Sequence, residues 1–188
     1  KELRKILISI DGYSGTPEIR AALKLTPILF QRPGEIRQME WKEINWGNEY
    51  WEIPADKMKM RFAHIVPLPT QALDILRGLE PITGRDRYVM PSAKRDGRPM
   101  SENGVRTALR SLGYSNDQVT PHGFRATART ILDEILHFRV DYIEQQLAHA
   151  VKDTNGRAYN RTKHLPERKQ MMQVWADYLD DLKVKLKL

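Results

Sequence analysis

A single phenol, Tyr159, sits in the stretch "LAHAVKDTNGRAYNRTKH", ten residues after His149 and crowded by Arg157, Arg161, Lys163 and His164. A tyrosine oxygen can act as a covalent nucleophile when neighbouring groups take up proton and charge. Elsewhere the chain supplies further groups of the kind such chemistry uses. In "TPHGFR", His122 and Arg125 are three residues apart where a helix is expected to begin, so they share a face. Backbone donors at such a start attract an anion. Arginine offers a planar fork to two phosphate oxygens, and histidine relays a proton near neutral pH. On spacing alone, the favoured reading of the pair is a helix-start histidine beside a solvated arginine.

"QRPGEIR" holds Arg32 at a loop-to-helix junction, with Glu35 near enough to orient a basic neighbour, and Arg37 projecting toward surface or phosphate. "KMKMR" places Lys57, Lys59 and Arg61 on a turn between two expected strands. A lysine there can protonate a departing sugar oxygen, but composition does not rank the three, and solvated turn charge accounts for them as well. Taken jointly, two arginines, a lysine, two histidines and a tyrosine can neutralise a pentacoordinate phosphate, activate oxygen attack and protonate a leaving oxygen without a metal.

Other chemistries find less support. The histidines show no HExxH spacing, and the absence of cysteine removes disulfides and thiolate metal sites. Neither "GYSG" nor "PITGRD" is followed by the GK[ST] of a phosphate-binding loop. No metal and no cofactor is therefore expected. A formal charge of +7 over 188 residues suits a polyanionic partner. No apolar run approaches a membrane span and no signal-peptide pattern appears, so the sequence reads as a soluble intracellular protein. The length fits one domain. Beginning at Lys1, it reads as a domain excised from a longer protein.

The elements that must carry these residues are mostly helical. A lead-in ends at "DGYSG"; Thr16 and Pro17 open a helix with Ile19, Leu23 and Leu25 or Thr26 facing a core. Pro33 opens the next helix, with Ile36, Met39 and Trp41 directed inward. Strands are expected over 49–54 and 64–68, with a short third strand at "RYVMP". "TQALDILRGL" reads as a helix, Ser101 caps "ENGVRTALRSL" until Gly113 stops it, and Thr120-Pro121 starts "HGFRATARTILDEIL". "DYIEQQLAHA" and a long final helix follow, the latter with a stripe of Met171, Val174 or Trp175, Tyr178 and Leu182. This stripe suits either the chain's own core or a neighbouring subunit.

In order and spacing, "FQRPGEIRQMEW", "KMKMRFAHIVPL", "SENGVRTALRSLGY", "TPHGFRATA", "QQLAHA" and "AYNR" resemble the tyrosine recombinase, or phage integrase, family, over nearly the whole chain. The resemblance implies the catalytic domain of a prophage or genomic-island integrase. Its fold is α+β and predominantly helical, with a small antiparallel sheet. A single C-terminal catalytic domain over 1–188 is implied, without the arm-binding and core-binding domains that precede it in the family. Arg32 matches the first catalytic arginine and Glu35 its acidic partner. Lys59, seven residues before Val66, matches the hairpin lysine. His122 and Arg125 match the HxxR pair, His149 the later histidine, and Tyr159 the nucleophile.

The family mechanism has the tyrosine attack a DNA phosphate, form a 3′-phosphotyrosyl link and release a 5′-hydroxyl; another 5′-hydroxyl then rejoins the strand. On this pattern Arg32 and Arg125 hold the nonbridging oxygens, Lys59 protonates the leaving oxygen, and His122 and His149 position groups or move protons. Arg37, Lys57, Arg61, Arg157, Arg161 and Lys163 are the expected DNA contacts. The implied partners are double-stranded attachment sites, accessory DNA-bending or directionality proteins, and further subunits in a tetramer of the full-length enzyme. The isolated domain is expected to be a monomer in the bacterial cytoplasm, at the nucleoid. Two rivals share these features: a topoisomerase-like relaxer, and a DNA-binding module that has lost catalysis.

Overall fold

The computed structural model describes residues 1–149, 160 and 162–184. Helix α1 (Glu2–Asp11) leads into α2 (Pro17–Leu29), which starts where Thr16 accepts from the Ile19 N–H and Pro17 takes the first turn. Pro27 lies inside α2, and its carbonyl accepts the indole N–H of Trp175 at 3.0 Å. The short α3 (Pro33–Arg37) follows a single left-handed residue, Phe30, with φ 39°.

The sheet is antiparallel, in the order β1 (Ile44–Asn45), β2 (Tyr50–Ile53), β3 (His64–Pro67). Trp51 pairs with Val66 and Ile53 with His64. Two of the three strands fall where the sequence places them. The third does not: "RYVMP" makes only isolated bridges, Glu40 to Tyr88 and Pro91 to Pro99, and the sheet is completed instead by the two-residue β1. Pro91 has no N–H to give a ladder, which explains why that run stops at single bridges.

Helices α4 (Thr70–Thr83), α5 (Gly104–Ser111), α6 (Gly123–Glu134), α7 (Val140–Gln146) and α8 (Leu165–Val184) complete the described chain. Ser101 does not cap α5 directly. Its hydroxyl accepts from Asn103, and the helix begins one residue later and runs to Ser111, with Gly113 turning the chain beyond it at φ 90°. The α6 start is likewise displaced, because the Thr120 hydroxyl accepts the Gly123 N–H and the helix begins there. The main core gathers Leu25, Leu29, Phe30, Trp51, Val66, Leu76 and the α8 residues Met171, Met172 and Trp175. The Phe30 and Trp175 rings pack nearly perpendicular, with their centroids 5.9 Å apart. A second cluster, with Ile6, Ile10, Leu23, Leu109 and Phe124, seats α1 and α5. The α8 stripe thus folds onto the chain's own core, through Trp175 rather than Val174 and with Leu179 buried where Tyr178 and Leu182 are only partly so. Among the described residues no helix is long and apolar enough to cross a membrane.

Candidate active site

Arg32 stands directly before α3. The Glu35 carboxylate takes both its Nη1, at 3.0 Å, and its main-chain N–H, at 3.2 Å. One oxygen therefore closes the helix end while the other aims the guanidinium, as the sequence suggests for Glu35. The Arg32 side chain keeps 23% of its surface open.

Arg125, on the first turn of α6, is only 5% exposed. Its Nη1 donates to the Phe30 carbonyl at 2.9 Å and its Nη2 to the Leu147 carbonyl at 2.8 Å. These acceptors lie two residues from Arg32 and from His149, so one guanidinium ties together the two segments that carry them. Burial, reinforced by the Arg32 charge and opposed by Glu35 and Glu144, brings Arg125 down to about 10, below the ordinary guanidinium range. It remains a cation at neutral pH.

His122, immediately before α6, is pushed below its ordinary value by burial and then by Arg125, Arg32 and His149, in that order. Three other expected site groups therefore act on this one imidazole. A neutral His122 that feels both guanidinium charges can accept a proton while the cations hold an anion.

His149 follows a left-handed Ala148, with φ 52°, and its Nδ1 lies 2.5 Å from Glu144 Oε2. A carboxylate only accepts, so Nδ1 carries the proton, leaving Nε2 for exchange with another group. Glu144 also accepts from Arg129 Nε at 2.8 Å. Burial raises the Glu144 carboxyl, but the bonds from His149 and Arg129 outweigh it and hold the group below the usual carboxylate range. Sequence reasoning missed Glu144; its place five residues before His149 on the preceding helix was the available signal.

Of the other expected residues, the described ones make no hydrogen bond or ion pair with this group. Lys59 lies exposed on the turn joining β2 to β3 and makes no hydrogen bond or ion pair among the described residues. Arg61 is also exposed, with a 3.4 Å bond to the Asp56 carbonyl, and Lys163 is exposed near the start of α8. Arg37 donates to the Met100 carbonyl at 3.0 Å. Lys57 departs from its expected role as a DNA contact: its ammonium turns inward onto Glu40 at 2.8 Å, the Gln38 carbonyl at 2.8 Å and Glu43. Only 13% of its side chain is open, because two buried carboxylates need a counter-charge there. Tyr159, Arg157 and Arg161 lie outside the described residues. No cluster of potential metal ligands occurs among the described residues.

Residues 1–165 match the model of the phage integrase family. The chain belongs to that family. Similar members include the putative protein IntB of Escherichia coli (strain K12), 37% identical over 96% of this chain and 49% of the relative. The integrase of Enterobacteria phage P4 is 38% identical, over 94% of this chain and 43% of its own. The chain thus spans about half the length, or less, of these relatives. Among solved structures, the integrase from mycobacterium phage Brujita superposes with a TM-score of 0.69 over 90% of this chain and 55% of its own, at 11% identity. A lambda integrase dimer bound to a COC' core site gives 0.58 over 79% and 55%, at 20% identity. These likenesses establish the integrase catalytic-domain fold, the predominantly helical α+β arrangement with a small antiparallel sheet.

Proposed function

We propose that this integrase-family chain is the catalytic part of a site-specific DNA recombinase that integrates or excises a prophage or genomic island through a 3′-phosphotyrosyl intermediate. The observation that carries this reading is that Arg125 grips the Phe30 and Leu147 carbonyls and so joins the segments bearing Arg32 and His149, with Glu35 and Glu144 each holding one of those two and His122 feeling the charge of all three. Two guanidiniums beside a neutral imidazole suit a phosphodiester whose nonbridging oxygens gain charge during in-line exchange. In this reading Tyr159 Oη attacks phosphorus as its proton is taken up within the site. The bond to the 5′ oxygen breaks, and Lys59 Nζ gives that oxygen a proton. The reverse steps with another 5′-hydroxyl rejoin the strand, so the phosphodiester energy is conserved and no nucleotide is consumed.

Exposed Arg61 and Lys163, together with Arg157 and Arg161, are the proposed contacts to neighbouring phosphates. Arg37 belongs to this group through what remains of its guanidinium beyond the Met100 bond. Preceding arm-binding and core-binding domains, a tetramer on two duplexes, accessory DNA-bending or directionality proteins and a place at the bacterial nucleoid complete the reading.

The test uses the full-length protein and nicked duplexes tiled across the junctions between the element and host DNA. The parent is expected to become covalently attached to the 3′ side of the cut, and Tyr159→Phe to bind the same DNA without attachment. Attachment by Tyr159→Phe overturns the nucleophile. A parent that binds the junction and never attaches overturns the recombinase reading in favour of a binding module.

A further inference from the structure

A buried polar group behind the site is not used by the chemistry above. Gln146 is the last residue of α7, so its carbonyl has no partner within the helix. Two side chains from distant parts of the chain supply one: Gln31 Nε2 at 2.9 Å and His64 Nε2 at 3.1 Å. Gln31 is the residue before Arg32. His64 opens β3, on the far side of the turn that carries Lys59. The next carbonyl, of Leu147, is the one that Arg125 takes, and His149 follows two residues later. Arg168 of α8, wholly buried, donates from Nε to the Gln146 side-chain oxygen at 3.0 Å and from Nη2 to the Ile65 carbonyl.

We propose that His64 is a positioning residue of the site, fixing the α7 end, and with it His149 and the Leu147 anchor of Arg125, against the strand that leads out of the Lys59 turn and the junction that carries Arg32. This rests on the recombinase reading for its consequence in catalysis.

The donor role follows from chemistry. A carbonyl oxygen only accepts, so His64 must carry its proton on Nε2. His64 is 1% exposed, and burial first, then the charges of Arg168, Arg125 and Arg32, lowers it to about 3, while the Gln146 bond works the other way. It is therefore a neutral donor throughout the physiological range. Without it, the last carbonyl of α7 keeps one side-chain donor of two, and the α7 end keeps only the indirect tie to the sheet through Arg168. A side chain that acts only by filling space would be replaced equally well by any group of its size. A positioning donor would be replaced only by another donor, and glutamine places an amide N–H where the imidazole Nε2–H stands.

The test compares His64→Leu with His64→Gln in the full-length protein. Single-turnover attachment to the nicked junction duplex and equilibrium affinity for it are measured side by side. A shift of about 1 Å in a reacting group costs on the order of 100-fold. His64→Leu is therefore expected to slow attachment by about that factor with DNA affinity almost unchanged, and His64→Gln to restore most of the rate. Equal rates for parent and His64→Leu overturn the proposal, as does equal slowing in both variants.

Nitrogen NMR on the 188-residue chain supplies a readout independent of DNA. A neutral Nε2–H tautomer is expected at His64 from pH 5 to 8, with faster amide exchange at Leu147 to His149 in His64→Leu alone. A titrating or Nδ1-protonated His64 overturns the anchoring itself. A parent that never attaches to DNA while these NMR results hold removes the recombinase reading instead.

Discussion

Acidification should expose the buried imidazole of His64 as a measurable slope in stability. An unfolded chain protonates this residue below about 6.5, whereas the folded chain resists protonation until about 3. Between those values the unfolded state binds more protons, so stability is present in full above pH 6.5 and falls as pH drops toward 3. Each pH unit in that window costs about 1.4 kcal/mol. From pH 6.5 to 5 the loss is about 2 kcal/mol, a sizeable part of the 5–15 kcal/mol typical of a domain. Glu40 does not contribute in that range. Arg87, opposed by burial and joined by Lys57 and Lys42, lowers its carboxyl to about 2 from 4.5, so its contribution is lost only below about 4.5. Urea unfolding of the parent and of His64→Gln at pH 7.5, 6 and 5 isolates the effect, since glutamine does not titrate. With a slope of about 2 kcal/mol per molar urea, the parent midpoint should fall about 1 M further than that of the variant between pH 7.5 and 5. His122, lowered in the same direction, leaves some slope in both proteins. Parallel pH profiles for the two proteins would refute the reasoning, because they would mean that the imidazole takes its proton without leaving its place.

Arg125→Lys cannot serve both the Phe30 and Leu147 carbonyls; a loss of about 1–3 kcal/mol is expected in urea unfolding, with DNA attachment slowed at least about 100-fold. Glu35→Ala frees both the Arg32 guanidinium and its main-chain N–H, and should cost about 1 kcal/mol by the same assay while lowering the attachment rate. Lys57→Met and Lys59→Met separate two lysines two positions apart. The first leaves Glu40 and Glu43 short of a buried partner and should destabilise by about 3 kcal/mol, whereas the second should alter unfolding by less than about 0.5 kcal/mol and slow only the chemistry. Equal unfolding midpoints for the two lysine variants would contradict the inward placement of Lys57.

Local rules were legible where one residue decides the backbone. Thr16 and Pro17 start α2, Gly113 ends the α5 region with a positive φ, and the apolar "HIVPL" run becomes a strand buried along its length. They failed where an element is too short to carry a period, as at the two residues of β1, or where a bridge was read as a strand, as at Tyr88 and Pro91. The positions of Arg32, Glu35, His122, Arg125 and His149 could be matched to a family pattern, but not their support. Phe30, Gln31 and Gln146 reach the site through left-handed turns and long-range bonds that no nearby spacing signals, whereas Glu144 was signalled only by its place five residues before His149. Lys57 and Lys59 look alike in sequence because both belong to one basic run; only the fold brings Glu40 and Glu43 under the first.

Several long-range joints of the scaffold are side chains that grip peptide oxygens: Arg125 on Phe30 and Leu147, Gln31 and His64 on Gln146, Arg168 on Ile65, Trp175 on Pro27, Trp41 on Thr83. Mutation cannot delete a main-chain oxygen. Each such joint is therefore vulnerable at one end only, and the residue at the gripped end can drift in type as long as its backbone path survives. Lineages can then rewrite much of the chain while keeping the same few gripping side chains, so divergence should fall on the gripped residues before it touches the grips.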